Sequence, residues 1–143
     1  MKKPLLFVFV SATALLLIMS GCSKKNDSQA ATMKNVAGTY KLTAATGSFA
    51  GLTFNLYDSI PACAKDDRLT LNADSTYQYV DAGTQCAPPG DDSGTWVISG
   101  NYYIRNGTDS GTIKSFSGSQ LVVSYTDNSM GFPVVATETL TKQ

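Results

Sequence analysis

Beyond residue 36 the chain consists of short runs in which apolar and polar residues alternate, separated by clusters of Gly, Asn, Asp, Ser and Pro. A period of two is typical of β-strands that bury one face, and no later segment has the 3.6-residue period of an amphipathic helix. Eight strands are predicted on this basis: 37–45, 68–72, 76–81, 95–99, 102–105, 112–116, 121–125 and 134–141. Most are joined by short polar turns, which favours an antiparallel meander.

A meander of eight strands removes its exposed edges when it closes into a barrel. We therefore predict an all-β domain at residues 36–143, an eight-stranded antiparallel up-and-down barrel. A β-sandwich is the main competing architecture, but several long crossing connections would be needed to favour it. Two connections are long, at residues 46–67 and 127–133. Because the first contains many apolar residues, it is predicted to fold over one mouth and to include a ninth strand at residues 52–56.

Several short motifs recur in a familiar order. GTYKL opens the domain at residues 38–42, LTLNADSTYQY at 69–79 lies between two cysteines, and GTW follows at 94–96. The chain closes on LVVSYTDN at 121–128 and VVATETLTK at 134–142. Together they resemble the lipocalin-like domain of small Bacteroidetes lipoproteins. The resemblance implies an eight-stranded lipocalin-like barrel or half-barrel and no settled ligand or activity.

The first 21 residues predict a cleaved secretory signal. Lys2 and Lys3 precede an apolar run at 5–19, which is too short and too sharply ended for a membrane span. The run ends in Met-Ser-Gly-Cys at Cys22, which resembles the bacterial lipoprotein signature Leu-x-Gly-Cys with Met in place of Leu. The resemblance implies that Cys22 carries acyl chains such as palmitate and becomes the N-terminus. The alternative is an ordinary secreted protein with a free cysteine.

This interpretation predicts an outer-membrane lipoprotein of the cell envelope that faces the periplasm or the cell surface. Residues 22–35 are polar and without periodicity, and we expect them to form a lipidated, flexible tether between the membrane and the domain. Several acyl chains give stable anchoring where one chain does not. The predicted partners are therefore the membrane, through the lipid, and a small apolar ligand, and the protein is predicted to be a monomer.

Use of Cys22 by lipid leaves Cys63 and Cys86 as an even pair in an oxidising compartment, where such pairs usually form a disulfide. A zinc site needs about four Cys or His ligands, and the chain has no histidine. A redox pair is more often Cys-x-x-Cys. We therefore predict a Cys63–Cys86 disulfide, which would stabilise the fold by roughly 3 kcal/mol in the chain-entropy model.

Other classes of function find little support. Without histidine, Ser-His-Asp and Cys-His arrangements are impossible. The acidic pairs Asp66-Asp67 and Asp91-Asp92 could serve glycoside hydrolysis or calcium only if suitably placed, and adjacent residues in such loops are more often solvated turns. After loss of Lys2 and Lys3, nine basic residues face eleven acidic ones, which disfavours nucleic acid. We predict no catalysis, no cofactor and no metal.

Six aromatic residues fall on the apolar strand faces and would point into a barrel: Tyr40, Tyr77, Tyr79, Trp96, Tyr102 and Tyr125. They could line a pocket for a small, partly apolar molecule, bound without catalysis. They could equally be the core itself, since a small eight-stranded barrel is just wide enough for side chains to fill, and the short domain favours this. The filled barrel belongs to the alternative function, a structural or protein-interaction module with an exposed apolar patch around Phe49, Phe54 or Phe132.

Overall fold

A computed structural model describes residues 28–129 and 131–143. The predicted signal peptide at residues 1–21 and the predicted lipidation site Cys22 lie outside the described residues. The elements are α1 Met33–Val36, β1 Gly38–Phe49, β2 Leu52–Asn55, β3 Arg68–Leu71, β4 Thr76–Val80, β5 Asp92–Ser99, β6 Tyr102–Arg105, β7 Asp109–Phe116, β8 Gln120–Asp127 and β9 Val134–Lys142. Within the described ranges no helix is long and apolar enough to span a membrane.

Pairing between the first and last strands closes the sheet. Neighbouring strands pair antiparallel in the order β1-β3-β4-β5-β6-β7-β8-β9, and β9 pairs back onto β1 from Tyr40–Lys142 to Ser48–Val135. The predicted eight-stranded antiparallel up-and-down barrel is confirmed. The predicted ninth strand is also present as β2, which pairs with the second half of β1 on the edge that β3 leaves free.

A β-bulge in β1 decides which of its residues face the interior. Leu42 pairs with Leu140, but the next pair is Ala44 with Thr139, so one residue of β1 is left over. An extra residue shifts the alternation by one position. Leu42 and Ala45 therefore both face inward, although an unbroken period of two would turn Ala44 inward.

The described N-terminal segment closes one end of the barrel, which we call the base. The Gln29 amide donates to the Phe116 carbonyl (2.6 Å), and the Thr32 side chain caps α1. The Ile98 amide donates to the Met33 sulfur (3.2 Å), and Val36 is fully buried. Residues 29–36 therefore pack against the base of the barrel.

The base is filled by large side chains. Trp96, Tyr40 and Phe116 are fully buried, together with Leu71 and Leu121. Both polar aromatic groups are satisfied: the Trp96 indole donates to the Asn72 carbonyl (2.9 Å) and the Tyr40 hydroxyl donates to the Val36 carbonyl. Buried Trp and Tyr are stable in a core when their polar atoms find partners in this way.

The opposite end, which we call the mouth, is braced by a disulfide. Cys63 and Cys86 are bonded, as predicted, and join the β2–β3 connection to the β4–β5 connection. The buried carboxylate of Asp81 adds a second brace, because it accepts hydrogen bonds from the amides of Cys86 (3.0 Å) and Gly90 (3.2 Å). These two loops of the rim are thereby held together.

The barrel wall is tightly packed where β7 meets β8, and a substitution at Gly111 tests this packing. A Cβ at Gly111 would overlap Val123 Cγ1, a branched side chain with little freedom to move. We expect Gly111→Ala to destabilise the fold by about 1–3 kcal/mol in equilibrium urea unfolding. The matched control is Gly90→Ala, whose Cβ would lie 3.9 Å from Tyr79 Cε1; we expect a change within about 0.5 kcal/mol. Equal effects of the two substitutions would contradict this account of the wall.

Candidate functional site

The mouth half of the barrel contains a cavity of about 530 Å³. Its floor is apolar and is formed by Leu42, Leu69, Val123 and Leu140, directly above the filled base. Its upper wall carries tyrosine hydroxyls and charged groups from six strands and from the β2–β3 connection. The expectation of a filled interior is thus correct for the base and wrong for the mouth.

The six aromatic residues chosen from the sequence separate into three groups. Tyr40, Tyr79 and Tyr125 line the cavity. Tyr77 and Trp96 are buried within the barrel but do not line the cavity. The prediction that Tyr102 points inward is wrong, because its side chain is 54% exposed on the outer face of β6.

The neighbouring Tyr103 occupies the inward position instead, and the hairpin register explains why. The Gly100-Asn101 turn pairs Ser99 with Tyr102 and Ile98 with Tyr103. Residues directly opposite each other on paired strands share a face of the sheet. Because Trp96 and Ile98 face the interior, Tyr103 must also face inward, and it lines the cavity.

Two of the cavity tyrosines are held by carboxylates. The Tyr79 hydroxyl donates to Asp67 Oδ2 (2.8 Å), and Asp67 Oδ1 accepts from the Ala82 amide (3.2 Å). The Tyr125 hydroxyl donates to Glu138 Oε1 (2.6 Å). Asp67 is only 7% exposed, so its hydrogen bonds compensate for burial of a charged group. These hydrogen bonds fix the orientation of the two tyrosine rings in the cavity wall.

The hydroxyl of Tyr103 has no such partner. It is buried, the residue is 8% exposed, and no atom of the described chain forms a hydrogen bond with it. A buried hydroxyl without a partner costs roughly 1–3 kcal/mol. Tyr103 lines the cavity, so its unpartnered hydroxyl lies within the cavity wall.

Arg105 follows Tyr103 on the same face of β6 and also lines the cavity. Its guanidinium lies over the Tyr77 ring, 5.5 Å from the centroid. The Tyr77 hydroxyl donates to Asp92 Oδ2 (2.6 Å) and receives a hydrogen bond from the Asn106 amide. Arg105 therefore lies on the β4–β5 side of the mouth, on the same side as the Asp92 carboxylate.

The acidic pairs flagged in the sequence are used by the mouth loops. Asp66 accepts from the Thr84 amide (3.0 Å), and Asp91 accepts from the Asp81 amide (2.8 Å). Asp92 accepts from Tyr77, and of the four only Asp67 lines the cavity. In the described part of the chain no three acidic, Cys or His residues are placed to hold a metal ion.

Burial controls the ionisation of the cavity tyrosines. It raises the pKa of Tyr40 to about 12 and raises the pKa of Tyr103 further. Burial raises the pKa of Tyr79 and Tyr125 as well, and their hydrogen bonds to Asp67 and Glu138 add to the effect because they favour the neutral phenol. All four hydroxyls therefore remain protonated donors well above neutral pH.

The sign of these pKa changes predicts alkaline unfolding. Because each folded-state pKa lies above the ordinary value of 10.0, the stability that these phenols contribute is complete below pH 10.0 and is lost as the pH rises beyond it. We expect tyrosine ionisation, followed by ultraviolet absorbance, to coincide with loss of near-ultraviolet circular dichroism. Tyr103→Phe should move this transition to higher pH. Smooth ionisation near pH 10 in a protein that stays folded would contradict the assignment.

Sequence reasoning missed Tyr103, Arg105 and Glu138, although the two-residue turn before β6 was a signal for the first two.

Comparisons with known proteins agree with the geometry. A family model described as a lipocalin-like domain matches residues 36–123, more than half of the chain. Searches of curated proteins and of solved structures gave no match. A closed eight-stranded barrel with this sequence match places the chain in one family: it belongs to the lipocalin-like domain family.

Proposed function

We propose that this protein binds a small, partly apolar molecule in the barrel cavity, without catalysis. The observation that carries the proposal is a cavity of about 530 Å³ with an apolar floor and tyrosine side chains in its wall. Ligand sites typically measure about 300–1,000 Å³ and combine apolar walls with a few polar groups. The apolar floor and the tyrosine hydroxyls match that description.

A non-catalytic role fits the way the acidic side chains are used. Asp66, Asp91 and Asp92 accept hydrogen bonds that hold the mouth loops and the wall. Asp67 lies in the cavity but is tied to Tyr79 and to the Ala82 amide. Carboxylates whose oxygen atoms already accept hydrogen bonds from the loops and the wall are poorly placed to act as a catalytic pair. We propose that no cofactor is needed.

Binding can be tested with N-phenyl-1-naphthylamine, a neutral probe whose fluorescence rises in apolar surroundings. We expect the wild-type protein to bind it. Leu42→Trp places a bulky side chain on the cavity floor and should weaken binding by at least about tenfold, or about 1.4 kcal/mol. Thr126→Trp, at the exposed rim, should weaken it as well.

The matched control is Val97→Trp, which adds the same side chain on the outer face of β5 and should leave binding unchanged. Far-ultraviolet circular dichroism checks that each variant is folded. Failure of the wild-type protein to bind, or equal binding by Leu42→Trp and Val97→Trp, would contradict the proposal.

We propose further that the protein is a monomeric outer-membrane lipoprotein of the cell envelope, anchored through acylated Cys22 and facing the periplasm or the cell surface. Support comes from the sequence before Cys22 and from the hydrogen bond that holds Gln29 to the base. Gln29 is bonded to the base, and seven steps of chain from Cys22 reach at most about 25 Å. In this arrangement the base faces the membrane and the mouth faces away, so the ligand enters from the aqueous side.

The anchor is tested by expressing the full chain and a Cys22→Ser variant in a bacterium that processes lipoproteins. We expect the wild-type protein to enter the detergent phase and its mature N-terminal peptide to begin at an acylated Cys22 by mass spectrometry. Cys22→Ser should remain in the aqueous phase or retain residues 1–21. An unmodified Cys22 in the mature wild-type protein would contradict the anchor.

A second candidate function, protein interaction, is favoured by an apolar patch beside the mouth. Phe49 and Phe132 lie 4.6 Å apart between ring centroids and are each 41% exposed, and Leu52 and Phe54 are exposed next to them on β2. This patch would suit an envelope partner with an apolar surface. The two functions differ in one respect: Leu42→Trp should abolish cavity binding and leave the patch and its partner unaffected.

A further inference from the structure

The charge of the cavity wall defines the ligand more closely than its volume does. Asp67, Asp109 and Glu138 line the cavity, against one basic residue, Arg105. The hydrogen bonds that Asp67 and Glu138 accept in the described structure come from neutral groups, two tyrosine hydroxyls and a backbone amide. Such donors satisfy the oxygen atoms but do not cancel the negative charge.

Glu138 lies where a ligand must pass. On β9 it comes two residues before Leu140, which forms part of the apolar floor, and it pairs with Val123 across the β8 ladder. Its side chain is half-buried, lines the cavity and accepts the hydrogen bond of the Tyr125 hydroxyl from β8.

Arg105 offsets one of the three negative charges, so two remain on the cavity wall. Arg105 lies against the Tyr77 ring, and Asp92 on the same side of the mouth feels its charge, because the pKa of that carboxyl is lowered first by the Tyr77 hydrogen bond and also by Arg105. In the barrel order β9 and β6 are separated by β7 and β8. Arg105 and Glu138 thus belong to different parts of the wall.

The mouth around the cavity is acidic as well. Of the ten acidic residues in the described part of the chain, nine line the cavity or lie on the mouth loops and the strand ends beside them: Asp58, Asp66, Asp67, Asp81, Asp91, Asp92, Asp109, Asp127 and Glu138. The basic residues there are Lys65, Arg68 and Arg105. A cleft lined by one sign of charge concentrates ligands of the opposite sign.

We propose that the cavity binds an organic cation, an ammonium group on an apolar body, with the ammonium at Glu138 and the apolar part on the Leu42–Leu140 floor. This inference rests on the proposed function. An ammonium in this position gains a charge-assisted hydrogen bond from the carboxylate and favourable contact with the tyrosine faces.

Three ligands of equal chain length test the charge: octylamine, octan-1-ol and octanoate, each used to displace N-phenyl-1-naphthylamine from the full-length folded protein. We expect octylamine to bind at least about tenfold more tightly than octan-1-ol, the size of one charge-assisted hydrogen bond, and octanoate to bind most weakly. Equal or tighter binding of octanoate, or displacement by none of the three, would overturn the inference.

Glu138→Gln keeps the size of the side chain and an acceptor for the Tyr125 hydroxyl. We expect it to weaken octylamine by about tenfold and to leave octan-1-ol unchanged. The matched control is Asp58→Asn, which removes the same charge from an exposed residue outside the cavity and should have little effect. An unchanged octylamine affinity in Glu138→Gln would overturn the role of Glu138. Should that variant not fold, the ligand series on the wild-type protein decides the question.

The outcomes also separate this inference from the function on which it rests. If the neutral probe fails to bind wild-type protein, the proposed cavity function fails. If the probe binds and octanoate or octan-1-ol displaces it better than octylamine, the cavity function stands and the cationic ligand is wrong.

Discussion

The pairing of β9 with β1 is the constraint on which the rest of the structure depends. It converts a meander with two open edges into a closed barrel, so every strand must have one inner and one outer face. The bulge after Leu42 keeps β1 in step with β9 and turns Ala45 inward beside Glu138. Ala45 is small, and the ring of Phe54 from β2 packs over Gly47 on the same face of the sheet.

The division of the interior into a filled base and a hollow mouth follows from which side chains the closed wall presents. At the base, Trp96, Tyr40 and Phe116 meet across the axis and are capped by α1. Toward the mouth, the hydroxyls of Tyr79 and Tyr125 are bonded to Asp67 and Glu138. These carboxylates orient the tyrosines of the cavity wall and also make the wall acidic.

Much of this fold could be predicted from the sequence, because alternation and turn chemistry are local signals. The faces of β5 and β8 followed from them. The position of β2 followed from the apolar residues of the first long connection, and the Cys63–Cys86 bond from the number and spacing of the cysteines. The face of β6 was misread because Tyr102 and Ile104 look more apolar than Tyr103 and Arg105. The two-residue turn and the inward Trp96 together require the opposite face, so this error was avoidable.

Other features could not be read from the sequence. A bulge at residue 43 leaves no clear local signature in a run of Thr and Ala, and packing of residues 29–36 on the base depends on contacts with Phe116 and Ile98 that are distant in sequence. The cavity depends on how much of the barrel interior the inward side chains leave unfilled. Its charge depends on Asp67 from the β2–β3 connection and on Glu138 from β9.

The most direct test is a crystal structure of the mature protein at a resolution that shows individual waters. The account predicts solvent or ligand density within hydrogen-bonding distance of the Tyr103 hydroxyl; side chains of Tyr125 and Arg105 collapsed over Tyr103, with no space between them, would contradict it.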